Sequence, residues 1–106
     1  MLTPDEQLLV DLKEKLQITW DDSETNRVLT LSINNGKRFF NELCETQFHF
    51  AEGSIEHELL MERCRYDWNN AIDEFEPNFK AVLSRLIMNV AIQQYEEAKA
   101  NEQTNS

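Results

Sequence analysis

Apolar residues recur along this chain with a helical period in successive blocks, separated by short polar breaks. The first block is Leu8, Leu9, Leu12 and Leu16, one stripe at about 100° per residue. Thr3-Pro4-Asp5-Glu6 precedes it. Thr3 can cap, Pro4 suits the first helical position and Glu6 completes a capping box. A helix over residues 4–16 is predicted. Ile18 and Trp20 fall in a connector, and Asp21-Asp22-Ser23-Glu24 offers the next capping residues.

Residues 28–44 carry two conflicting signals. Val28 to Ile33 alternates and Asn35-Gly36 is a hairpin turn pair, so the segment taken locally reads as a β-hairpin. A helix fits the whole window better. Val28, Leu29, Ile33, Gly36, Phe39, Phe40, Leu43 and Cys44 then share an arc of about 160°. Gly36 would lie on the packed face and let another helix approach closely. After an extended loop at 46–53, with Phe48 and Phe50 pinned to the core, the third block begins.

In that block Leu60, Cys64, Trp68, Ala71 and Phe75 step by helical intervals, and Pro77 should stop the helix by Glu76. A second strip of Ile55, Leu59 and Tyr66 lies roughly opposite Trp68 and Ile72. The fourth block has a core face of Phe79, Val82, Leu83, Leu86, Ile87 and Val90. Met88, Ile92 and Tyr95 lie about 180° away. A helix apolar on two sides is either enclosed or meets a partner, and a chain this small is not expected to enclose both sides of two helices.

The expected architecture is therefore all-α. It is a small four-helix bundle with helices roughly at 4–16, 22–45, 55–75 and 78–99, one domain over 1–99, and a flexible polar tail at 100–106. The expected core is Leu12, Leu29, Phe40, Leu60, Trp68, Ile72, Phe75, Phe79, Leu83, Leu86 and Val90. Only two glycines and two prolines in 106 residues agree with this reading and disfavour a turn-rich β fold.

Charge narrows the function. The formal net charge is −10, which disfavours phosphate-clamping nucleic-acid binding. Glu56, Glu58, Glu62, Asp67, Asp73, Glu74 and Glu76 crowd residues 54–76 against Arg63 and Arg65. The last block balances Glu96, Glu97 and Glu102 with Lys80, Arg85 and Lys99. An acidic surface beside a neutral helix suggests two faces with different partners, or simply a solvated side. No apolar run is long enough to span a bilayer, and no leader pattern is read, so no membrane contact is expected.

Site chemistry is sparse. Cys44, His49, His57 and Cys64 match no paired metal-ligand spacing, and both cysteines fall on core faces. His49 and His57 read as surface or boundary residues. Asp73-Glu74 and Glu96-Glu97 are adjacent on helices and point apart. There is no glycine-rich phosphate loop and no nucleophile elbow. No enzyme activity and no cofactor are expected. Asn69 and Asn70, poor choices inside a helix, are either merely exposed or hydrogen-bond to backbone at the corner or at a subunit contact. With Ile55, Leu59 and Tyr66 they make the candidate inter-subunit patch.

Several segments, in their order, carry a family resemblance. They are Leu16-Gln17-Ile18-Thr19-Trp20-Asp21-Asp22, Asn35-Gly36-Lys37-Arg38-Phe39-Phe40-Asn41, Phe48-His49-Phe50, and Cys64-Arg65-Tyr66 through Asn69-Asn70-Ala71 to Asp73-Glu74-Phe75 and Asn78-Phe79. The chain resembles the small head–tail connector (adaptor, or head-completion) proteins of long-tailed bacteriophages and prophages of Gram-positive bacteria. The resemblance implies a virion structural protein, assembled in the host bacterial cytoplasm and resident at the head–tail interface. Such a protein binds the portal after DNA packaging, self-associates into a ring that extends the DNA channel, and offers a platform to the stopper or tail-completion protein. DNA would pass without sequence-specific binding. Carried onto this chain, the portal-facing part is Met88, Ile92, Tyr95 and the segment beyond residue 95, Lys99 included. The competing reading is a small acidic cytoplasmic protein-binding module, regulatory or DNA-mimicking.

Overall fold

The computed structural model describes residues 1–104, with side chains to Asn101. All regular structure among the described residues is helical: α1 (Pro4–Leu16), α2 (Ser23–Cys44), α3 (Ile55–Trp68), a 3-10 turn (Ile72–Glu74), α4 (Phe75–Asn78) and α5 (Lys80–Thr104). The all-α small bundle is borne out, but with a short extra helix, so the count of four is corrected. The hairpin alternative for residues 28–40 is excluded, because α2 runs straight through Asn35-Gly36.

Each early helix begins at a side-chain cap. Thr3 Oγ1 accepts from Glu6 N–H at 3.1 Å while Glu6 Oε1 accepts from Thr3 N–H at 3.2 Å, a reciprocal capping box. Asp22 accepts from Thr25 N–H at 3.0 Å, and Ser54 from His57 N–H at 3.1 Å. Each also ends in one manner. Gln17, Glu45 and Asn70 adopt left-handed backbone, at φ 60°, 50° and 58°. The next residues, Ile18, Thr46 and Ala71, then donate to carbonyls five residues back, on Lys13, Asn41 and Tyr66. These are Schellman closures built without glycine.

The closure at Asn70 corrects the third helix, which stops at Trp68 instead of Phe75. Once the chain turns there, the helical phase that linked Trp68 to Phe75 is lost. Phe75 still reaches the core at 1 % exposure, but through the 3-10 turn. Trp68 and Ile72, expected inside, stand 38 % and 36 % exposed. Pro77 does not terminate α3. It occupies the third position of the one-turn α4, where a missing N–H leaves no intrahelical bond unmade.

The core gathers Leu12, Leu29, Phe40, Leu60 and Cys64 with Phe75, while Phe79 packs half-buried against it. Phe40 and Phe75 meet edge-on at 6.1 Å, and Phe50 holds the interhelical loop to Phe40 at 6.4 Å. Gly36 is buried where α2 crosses α3. A Cβ placed there would stand 2.5 Å from Leu60 Cδ1, so the close approach depends on glycine.

α3 is the central helix and packs on both α1 and α2. Its second apolar strip is therefore not bare: Leu59, expected at a subunit contact, is 4 % exposed. α5 differs. It packs on α2 and α4 through Leu83, Leu86 and Val90. At 25 residues it is roughly 37 Å long, at 1.5 Å per residue. The described molecule accordingly measures 57 × 36 × 19 Å, with a radius of gyration of 16.1 Å, against about 13 Å for a compact domain of similar size. α5 continues past residue 99 to Thr104. The expected tail is helical that far, and residues 105–106 lie outside the described residues.

Candidate interaction surface

The middle of α5 presents a bare stripe that continues towards its C-terminal end. Met88, Ile92 and Tyr95 are exposed by 59 %, 49 % and 66 %, and with exposed Lys99 they step by four, three and four along one face. Ile87, read from periodicity as core, is also exposed and widens the stripe. Every residue from Ala91 to Asn101 is exposed. The helix is tethered in this part by Gln94, whose Nε2 donates to the Glu45 carbonyl at 3.1 Å. The sequence reasons for the projection are visible. After Val90 no further core-facing residue appears, while Gln93, Gln94, Glu96, Glu97 and Lys99 sustain a solvated helix.

The inter-subunit candidates do not assemble into one patch. Ile55 is exposed, but Leu59 is buried. Tyr66 is half-buried between Phe75 and Phe79, at 5.7 and 5.8 Å, and its hydroxyl accepts from Asn78 Nδ2 at 3.2 Å. Asn69 donates from Nδ2 to the Arg65 carbonyl at 2.8 Å, and Asn70 is the left-handed residue that closes α3. The two asparagines are a helix stop, and their hydrogen bonds are local.

In place of that patch, Val28 and Trp68 flank a cavity of about 310 Å³ between α2 and α3. Leu29, Ser32, Cys64, Asp67 and Asn70 complete its lining. Helical periodicity carried through residue 75 turns Trp68 inward and so conceals the cavity. The consecutive asparagines, read as a stop, were the available signal that the helical phase breaks there.

Chemical groups elsewhere are engaged structurally. His57, expected at the surface or its boundary, is 6 % exposed, and its Nε2 lies 3.1 Å from Asp11 Oδ2, joining α3 to α1. Both cysteines are buried and unbridged. Burial pushes the Cys64 thiol up to about 11, so it stays protonated and a poor nucleophile. Burial also pushes Glu62 upward, but hydrogen bonds from Lys15 and Arg65, with N–O distances of 2.8 and 2.7 Å, outweigh it and hold the carboxyl below its usual range. Among the described residues no group of His, Cys, Asp and Glu could hold a metal ion. Among the described residues no helix is long and apolar enough to cross a membrane.

The chain matches no protein-family model, no curated protein and no solved structure.

Proposed function

We propose that the chain is a phage virion adaptor whose α5 stripe seats on the portal after DNA packaging. In this reading copies assemble there into a ring that extends the DNA channel and receives the stopper or tail-completion protein. The observation that carries the reading is the uncovered Met88–Ile92–Tyr95 stripe on a helix reaching beyond the core. Fully burying one such side chain is worth about 1.5–3 kcal/mol, so a groove that takes all of them gains enough to define a docking helix. The order of the local segments that resemble head–tail connectors supplies the partner. An acidic chain also suits a channel wall, because carboxylates give passing DNA no phosphate-binding sites.

The test replaces Met88, Ile92 and Tyr95 together with serine and measures co-sedimentation with purified portal. Far-UV circular dichroism should stay helical while portal association is lost. Undiminished association would remove α5 from the interface. Association instead with a basic non-virion partner, and none with the portal, would favour the regulatory-module reading.

A further inference from the structure

The cavity between α2 and α3 has a floor and a rim of different character. Leu29, Ser32 and Cys64 form the floor, at 1 %, 7 % and 1 % exposure, while Val28 and Trp68 stand partly exposed at its edge. Asp67 is the anionic group in the lining. Its Oδ2 accepts the Ser32 hydroxyl at 2.7 Å, which fixes the carboxylate at the pocket wall. Asp67 enters no ion pair among the described residues. Of the cations on the flanking helices, Arg27 pairs with Glu24, Lys37 with Asp5 and Arg65 with Glu62, while Arg63 lies over the Phe39 ring at 4.8 Å. The neighbouring Cys64 thiol is neutral, so a cation entering the pocket meets one negative charge, the apolar side chains of Val28, Leu29 and Trp68, and the neutral Asn70 amide.

From this geometry we infer that the Val28–Trp68 cavity is a binding site for an organic cation with an apolar stem, an alkylammonium or guanidinium. The stem lies against Val28, Leu29 and the Trp68 indole, and the charged head reaches the Asp67 carboxylate. An indole at the rim adds attraction for a cation over its face. The volume is at the lower end of the range for small-ligand pockets, which suits one side chain or one small amine and not a larger cofactor. The inference is independent of the portal reading, since it uses α2 and α3 and no residue of α5.

The experiment uses the full chain carrying Trp20→Phe, so that Trp68 is the sole indole reporter. Phenethylammonium, 2-phenylethanol and 3-phenylpropionate have nearly the same shape and differ in charge. Titration by Trp68 fluorescence and by backbone amide NMR shifts should show the ammonium binding roughly fivefold more tightly than the alcohol, the upper range for a half-exposed ion pair. The carboxylate should bind more weakly than either. Asp67→Asn should bring ammonium and alcohol to equal affinity. Val28→Lys, at an exposed rim position, should block the ammonium by placing a tethered cation against Asp67 without disturbing the floor. Equal affinity in the parent chain, no shift at Trp68, or a preference that survives Asp67→Asn would overturn the assignment. A blocked lysine tripeptide outcompeting butylammonium assigns the cation to a protein side chain, and the reverse order assigns it to a free amine.

Discussion

α3 and α5 carry the same sequence signature, apolar residues on opposite sides, yet the fold treats them oppositely. α3 is covered on one side by α2 and on the other by α1, whose Leu8 and Leu12 are buried. α5 has α2 and α4 along its first half and no cover over Met88, Ile92 and Tyr95. A two-sided pattern therefore does not by itself mark a docking helix. What decides is whether another element has an apolar stripe left to spend, and α1 spends its stripe on α3. With α1, α2 and α3 packed on one another, the second face of α5 has no partner among the described residues.

The contrast can be broken most forcefully at the α2–α3 crossing. Leu60→Ala should cost about 2–5 kcal/mol in urea unfolding, because Leu60 is fully enclosed. Gly36→Ala should cost about 1–2 kcal/mol, since overpacking against Leu60 exceeds the gain in helix propensity. A stabilised Gly36→Ala chain would mean that the crossing is looser than described.

Glu62 tests the same region through pH. Its carboxyl is held below the unfolded value, so its contribution is fully present above an unfolded pKa of about 4.3 and is lost as pH falls through the lower folded value. Glu62→Gln should therefore destabilise by about 1 kcal/mol at neutral pH, with the difference from the parent closing in strong acid. A difference independent of pH would count against the Lys15–Glu62–Arg65 cluster.

Smaller effects sharpen the picture. Gln17→Gly relieves a left-handed residue and should raise stability by about 0.5–1 kcal/mol in the same unfolding assay. Ile92→Ser with Tyr95→Ser should move stability by no more than about 0.5 kcal/mol per site, as expected of surface positions. A loss of several kcal/mol there would mean that α5 folds back onto the core in solution.

The helix starts were legible because Thr3, Asp22 and Ser54 are capping residue types with a side-chain bond to make. The ends of α1 and α2 were legible to within a residue from where their apolar stripes stop, but the end of α3 was not. Gln17, Glu45 and Asn70 enter the left-handed region that glycine usually signals, and two of the three are residue types that rarely mark it. Missing the stop at Asn70 extended α3 by a false phase, which sent Trp68 and Ile72 inward on paper and hid the cavity beside Val28. Periodicity found the α5 stripe because that helix runs unbroken, and it found the packed face of α2 despite Asn35-Gly36 because a window longer than the local alternation was decisive. Leu59 was misassigned for a different reason. No pattern within α3 tells that α1 will lie across it.

The central claim is that α5 from Met88 onward is a docking element. Hydrogen–deuterium exchange of the free chain and of the chain mixed with portal tests it directly. Free, amides of residues 88–101 should exchange much faster than those of α2 and α3, since little packing holds them. With portal, that segment should gain protection while the α2–α3 crossing stays unchanged. Protection confined to other helices, or a segment 88–101 already protected in the free chain, would contradict the account.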